Sequence, residues 1–394
     1  MSNPVPVGWS ARLFSDAVTL VYGKSPKEIL ENDGAYPVIG TGGITGLTNS
    51  FLHEGKTTVI GRKGTINKPS YIETKFWAID TTYYVTNYKR TDPKWFFYLL
   101  QDIDLTKYNE ASGVPSLNRD TLYAIPYISP PLPEQQKIAK ILTSVDEVIE
   151  KTQAQIDKLK DLKTGMMQEL LTQGVGVDGK PHTEFKDSPV GRIPKAWTTV
   201  CLSEVGKWKG GGTPSKANKD FWKGTIPWVS PKDMKSDVIY QTEDYITEEA
   251  VHSSSTNLVS KNSLLMVVRS GILKHTLPIA LAGSDLALNQ DMKALSTSKA
   301  CDVRYIFHYL QANNFKVLRA TLKAGNTVES IDFSEFGKYA IPFPSLAEQK
   351  LIAGAVDSVL NRINARQAKL NSLVNMKKAL MQDLLTGKVR VAID

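Results

Sequence analysis

Cysteine is nearly absent. The 394-residue chain holds two, Cys201 and Cys301, with no CxxC pair and no histidine-rich neighbourhood. That excludes a disulfide scaffold and a thiolate metal site, and leaves both thiols the role of small core residues in a reducing compartment. The five histidines, His53, His182, His252, His275 and His308, show no metal-ligand spacing. No apolar run approaches the ~18 residues a membrane helix needs. The opening MSNPVPVGWSARLF lacks the basic start and apolar stretch of a signal peptide. The expected location is therefore cytoplasmic, with no membrane partner. Catalytic signatures are missing as well. There is no Asn/Asp-Pro-Pro-Phe/Tyr motif to hold a flipped adenine. Gly40–Gly46 has the wrong spacing for a dinucleotide loop. Gly55-Lys56-Thr57 has Ser50 where a P-loop needs its first glycine. Glu73-Thr-Lys75 lacks the upstream carboxylate of a metal nuclease. The expectation is a chain without chemistry or bound cofactor of its own.

What is present is a long repeat. Leu132–Gln173 aligns without a gap on Leu346–Gly387, with 17 identities in 42 pairs. Glu134-Gln135 answers Glu348-Gln349 near one end, and Met167-Gln168 answers Met381-Gln382 near the other. Pro133 and Glu134 suit a helix start, and Gly174 and Gly387 suit a left-handed stop. Apolar residues alternate at spacings of four and three, from Ile138 to Leu170 in the first copy and from Ile352 to Leu384 in the second. Both seams turn polar at the same two places, Thr152 and Lys163 against Arg366 and Lys377. The pattern predicts two helices of roughly 60 Å pairing as an antiparallel coiled coil. Duplication of so long an element implies two similar halves.

The remainder repeats more faintly. Trp9–Asp16 matches Trp197–Glu204, and Arg62-x-Gly64 is set against Arg269-x-Gly271. Gly113–Leu117 and Gly325–Ile331 each precede a long helix by about the same distance. Short β-like runs with Gly and Pro turns fill both halves: Tyr36–Ile39, Thr57–Ile60, Phe76–Val85, Leu264–Val268 and Leu277–Leu281. Helical stretches are expected near Pro93–Gln101 and Val303–Asn313. The fold class is α+β, with two mixed α/β globular domains joined by two long helices in a pseudo-twofold repeat. The expected segments are 1–130, 131–174, 175–344 (opening on a linker, Gly174–Pro194) and 345–394.

Lysine and arginine total 48 against 40 acidic residues, which permits a polyanionic partner. Basic and small polar residues cluster on Gly-rich loops. Arg62, Lys63, Lys68 and Tyr71 do so in the first half. Lys209, Thr213, Ser215, Lys216, Asn218, Lys219, Lys232, Arg269 and Ser270 do so in the second. Lys and Arg neutralise phosphates, and Arg, Asn and Ser reach base edges in the major groove, so these are candidate DNA contacts. Trp9, Trp197 and Trp228 read as core residues.

Taken together, these residues resemble the specificity subunit of type I restriction–modification systems. The resemblance rests on the openings Pro131–Gln136 and Ser345–Gln349 and on the closings Met167–Thr172 and Met381–Thr386. It rests also on Gly210–Ser215 with Ile226–Met234, and on Tyr36–Gly43 with Arg62–Thr65. The second copy departs from the opening pattern at Ala347, where the pattern has proline. The resemblance implies two target-recognition domains reading unlike halves of a bipartite double-stranded DNA site, with the helices setting the spacer. It implies two modification subunits docked on the helical regions at Glu134, Gln135, Met167, Gln168, Glu348, Gln349, Met381 and Gln382. Restriction subunits would join them, and the partners would bring S-adenosylmethionine, ATP and Mg. Rival readings are an orphan or phase-variable DNA-binding adaptor, a purely structural coiled-coil adaptor, and an enzyme with an unrecognised site.

Overall fold

The computed structural model describes residues 5–323 and 328–393. The repeated segments form continuous helices, Leu132–Gln173 and Leu346–Leu385. The chain divides into two compact units: 1–155 with 366–394, and 156–365. The boundary falls inside both long helices, 132–173 and 346–385. Each helix gives its first part to one unit and its last part to the other.

Unit 1 has a four-stranded antiparallel sheet in the order Val18–Tyr22, Thr82–Tyr88, Thr57–Gly61, Ser70–Ile72. A second sheet orders Gly43–Thr48, Tyr36–Gly40 and Trp77–Ala78. The expected run Phe76–Val85 is thus broken in two, because the chain turns back at Ile79–Thr82 with Thr82 N–H donating to the Ile79 carbonyl. The helix Pro93–Asp102 buries every residue from Trp95 to Leu100 and starts at Asp92, whose carboxylate caps the N–H groups of Lys94 and Trp95. One apolar core joins these residues to Ile138 and Leu142 of the first long helix and to Met381, Leu384 and Leu385 of the second. The start of one helix therefore lies with the end of the other, as the antiparallel seam requires.

Unit 2 repeats the plan at greater size. Its five-stranded sheet runs Gly206–Gly210, Met292–Thr297, Leu264–Val267, Ile279–Ala282, Val238–Ile239, and a four-stranded sheet is built on Ile226–Val229 and Leu286–Leu288. The helix Val303–Ala312 is capped by Asp302. Met167 and Leu171 share a core with Ile352 and Val356, so the antiparallel sense recurs. In both units a two-stranded ladder closes the body directly before a long helix: Ser10–Leu13 with Pro126–Ser129, and Thr198–Cys201 with Ala340–Phe343.

The seam is buried or half-buried at every expected position except Arg366, which is exposed. Two of its polar members have partners. Thr152 donates to the Val148 carbonyl at 2.7 Å, and Lys377 pairs with Asp146 at 2.6 Å. Gly174–Pro194 is not a free linker. Its Phe185–Lys186 pairs with Ile193–Pro194, and its first turn is hydrogen-bonded to the second long helix. Trp9, Trp197 and Trp228 are buried, as is Cys301, while Cys201 is half-buried. No helix among the described residues is long and apolar enough to cross a membrane.

Candidate nucleic-acid interface

Each unit carries one loop built in the same way. In unit 1, the strand Thr57–Gly61 runs into Arg62, Lys63 and Gly64. The loop is stitched to a neighbouring segment by Leu117 N–H to the Arg62 carbonyl (2.9 Å) and Gly64 N–H to the Pro115 carbonyl (2.8 Å). In unit 2, the strand Leu264–Val267 runs into Val268, Arg269 and Ser270. The same two bonds recur as Ile331 N–H to the Val268 carbonyl (2.8 Å) and Ser270 N–H to the Glu329 carbonyl (3.0 Å). A second side closes both frames. The N–H groups of Arg62 and Lys63 donate to the Thr81 carbonyl, and those of Val268 and Arg269 to the Asp291 carbonyl. Backbone bonds on two sides hold each tip against fluctuation. Of the expected repeat Gly325–Ile331, residues 325–327 lie outside the described ones.

These bonds shift the sequence alignment by one residue. Lys63 pairs with Ser116 as Arg269 pairs with Ser330, so the partner of Arg269 is Lys63 and that of Arg62 is Val268. Aligning arginine on arginine was the natural choice on residue identity. Backbone pairing overrides it, because register is set by the strands behind the loop. The side chains follow suit. Arg62 is half-buried, its guanidinium 5.2 Å from the Tyr22 ring and its Nη1 donating to the Asp80 carbonyl at 3.2 Å. Arg119 faces the same ring at 5.2 Å, a packing role that nothing in the local sequence signalled. Lys63 and Lys68 are exposed, as is Arg269. Tyr71 is half-buried. It packs 5.5 Å from Phe97 with the Lys94 ammonium 4.1 Å from its ring centroid, and burial first, then the nearby Glu73 charge, push its hydroxyl pKa up. It belongs to the edge of the core.

In unit 2, Gly211 and Gly212 are explained by close approach. A Cβ on Gly211 would lie 2.2 Å from the Asn289 carbonyl, and one on Gly212 would lie 2.5 Å from the Ser255 backbone. Trp228 Nε1 donates to the Gly212 carbonyl at 3.0 Å and its ring meets Trp222 edge-on at 5.0 Å. This tight segment delivers Thr213, which hydrogen-bonds Gln290, and the exposed Ser215, Lys216 and Lys219; Lys209 is exposed on the preceding strand. Asn218 caps the Asp220 N–H at 3.1 Å, and Ser270 sits at the start of the turn Gly271–Lys274. An open cleft of about 570 Å³ brings Lys216, Ser230, Lys232, Ser270, Ile272 and Asn289 together. Lys232 is partly exposed and ion-paired. Its ammonium is held by Asp244 at 2.9 Å and Glu243 at 3.1 Å, and those two hydrogen bonds raise its pKa. The pair is exposed, so Lys232 stays cationic but would have to exchange these carboxylates for a phosphate. Lys75, of the supposed nuclease pair, answers Glu54 at 3.5 Å.

Most of the helix-end residues expected to dock partner subunits are turned into the chain. Glu134, Gln135, Met167, Glu348, Gln349 and Met381 are all buried within the chain, and only Gln168 and Gln382 are exposed. Glu134 accepts from Trp9 Nε1 (3.1 Å) and is gripped by Arg390 (2.7 and 2.9 Å). Glu348 accepts from Trp197 Nε1 (2.9 Å) and from the N–H groups of Val175 and Gly176 (both 3.0 Å), with His182 Nε2 at 2.9 Å. The matching Trp and Glu repeats were the signal for these pairs; Arg390 and His182 lie outside any repeat and had none. Gln135 accepts from Asp92 N–H (2.8 Å) and donates to the Pro130 carbonyl (2.9 Å). Gln349 does the same with Asp302 (2.8 Å) and Pro344 (2.9 Å). The motif ties each long helix to its own globular body. Among the described residues no group of three or more His, Cys, Asp or Glu is placed to hold a metal.

Known proteins agree with this geometry. The family model described as "Type I restriction modification DNA specificity domain" matches residues 6–161 and again 194–375. The specificity subunit of the Escherichia coli type I restriction enzyme EcoR124I/EcoR124II is 41% identical over 206 residues, 52% of this chain and 51% of that protein. The chain thus spans about half the length of this relative in the matched region. The MjaVIII specificity subunit of Methanocaldococcus jannaschii is 25% identical, covering 98% of this chain and 94% of that protein. The crystal structure of a type I S subunit from M. genitalium has the same fold, with a TM-score of 0.66 at 16% identity over 98% of this chain and 97% of that one. A doubled match to one domain, the duplicated loop frame and the paired helices lead to one conclusion: the chain belongs to the type I restriction modification DNA specificity domain family.

Proposed function

We propose that the chain is the non-catalytic DNA-reading subunit of a type I restriction–modification complex, each unit reading one half of a bipartite, asymmetric site. The observation that carries this is the stitched loop, present once per unit on the same backbone plan but with different side chains, Arg62-Lys63-Gly64 against Val268-Arg269-Ser270. A shared frame with unlike residues suits two readers of unlike half-sites. The two long helices, common to both units, act as the ruler for the spacer. At ~1.5 Å per residue they are long enough to span more than one ~10-base-pair turn of duplex.

Two modification subunits, and restriction subunits where present, are the partners. They supply S-adenosylmethionine, base flipping, ATP and Mg. Exposed positions on the helices, Gln168 and Gln382 among them, remain available to such partners, whereas the buried glutamates do not. The test is a map of methylated adenines in the genome that carries this gene, with the gene present and deleted. One bipartite motif should lose methylation on deletion. If no motif changes, the reading fails; if purified chain alone transfers methyl groups to DNA, its non-catalytic character fails.

A further inference from the structure

Resting on that reading, we propose that Lys63 and Arg269 are the paired base-reading cations, one in each unit, each contacting a guanine of its own half-site, and that Arg62 is not. Four observations lead there. The two residues occupy the same backbone position, fixed by the isolated bridges to Ser116 and Ser330 and by the shared acceptors Thr81 and Asp291. Both side chains are exposed. Among the described residues neither makes an ion pair, a side-chain hydrogen bond or a ring contact, in contrast to Arg62, Lys94 and Lys232. The space above each tip is open. A Cβ at Gly64 (φ +93°), the last residue of the first frame, would find nothing nearer than Thr41 Oγ1 at 3.6 Å, and one at Gly271, the residue just past the second frame, would find nothing within 4 Å. A duplex can therefore approach the backbone closely at both tips.

An unpaired cation on an exposed surface is ordinary. One that recurs at the same node of two frames of different sequence, while its neighbours are spent on packing, is not. Arginine offers a planar fork to guanine O6 and N7, and lysine donates to the same acceptors as a point charge. The two half-sites should therefore each contain a guanine at a corresponding place, read more stringently by Arg269 than by Lys63.

The experiment selects binding sites from random-sequence duplex DNA with the full chain and the subunits that co-purify with it, as wild type, Lys63→Ala, Arg269→Ala and Arg62→Ala. Lys63→Ala should randomise one guanine in the half-site read by unit 1. Arg269→Ala should randomise one guanine in the other, and each should weaken the selected site by roughly 5- to 100-fold. Arg62→Ala should keep both half-sites. The assignment is overturned if Lys63→Ala and Arg269→Ala leave both half-sites sharp or blur the same one, or if Arg62→Ala reproduces Lys63→Ala. Weakening that is uniform across all sequences, with a shallower salt dependence, would make them phosphate contacts and overturn it too. A wild-type complex that selects no site refutes the underlying reading and takes the assignment with it, a result distinct from all the others.

Discussion

Gln135→Ala separates two roles for the glutamate–glutamine motif, tying a helix to its body or docking a partner. The Gln135 side chain is 1% exposed. Its Oε1 accepts from Asp92 N–H at 2.8 Å, and its Nε2 reaches the Pro130 carbonyl at 2.9 Å, Ser129 Oγ at 3.1 Å and the Arg90 carbonyl at 3.3 Å. Asp92 is the residue that caps Pro93–Asp102, so the amide holds the entry to the central helix of unit 1. Truncation to alanine removes two short bonds of about 1 kcal/mol each and strands a buried N–H and C=O; the total comes to about 3 kcal/mol. For a domain of about 150–250 residues that is a fall in melting temperature of roughly 6–12 °C. The assay is hydrogen exchange followed by mass spectrometry. Gln135→Ala should speed exchange in Pro93–Asp102 and spare Val303–Ala312, and Gln349→Ala should do the reverse. If both variants exchange like wild type yet lose partner subunits, the side chains point outward in solution and the reasoning is wrong.

Two further expectations follow the same logic. Burial pushes the Glu134 carboxyl upward, but the Arg390 hydrogen bonds and then Trp9 Nε1 outweigh it, leaving its pKa below the ordinary 4.5. A depressed folded value means that its stabilisation is present above about 4.5 and is lost as pH falls through the folded value. Acid melts should thus show a steeper loss below pH ~4.5 in wild type than in Glu134→Gln, and identical limbs would refute the pairing. Inserting one heptad after Gln155 together with one after Ala365 keeps the antiparallel register and lengthens both helices by roughly 10.5 Å, or about 3 base pairs. Site selection should then return a longer spacer; an unchanged spacer means the helices are not the ruler.

Much of this protein was legible in its sequence, and for a physical reason. Helical periodicity and end signals are local, so the long helices appeared with near-final limits, and their duplicated seam implied pairing. Polarity at Thr152 and Lys377 was visible too, though the acceptors, Val148 and Asp146, were not. The strand-like runs were found where apolar residues are continuous, and missed their ends where a turn such as Ile79–Thr82 interrupts an apolar stretch. What tertiary structure alone decided is which partner each side chain meets. Glu134 and Gln135 read as conspicuous polar residues at a helix start, and folding buries them against Trp9, Arg390 and Asp92, far away in the chain. Tyr71 and Lys232 read as free loop residues, and folding sets them against Phe97 and Asp244. Arg62 and Arg269 matched as letters, while strand register, a property of hydrogen bonds between distant segments, matches Arg269 to Lys63 instead. Periodicity and punctuation travel with the local chain, whereas register, burial and charge pairing exist only once remote segments have met.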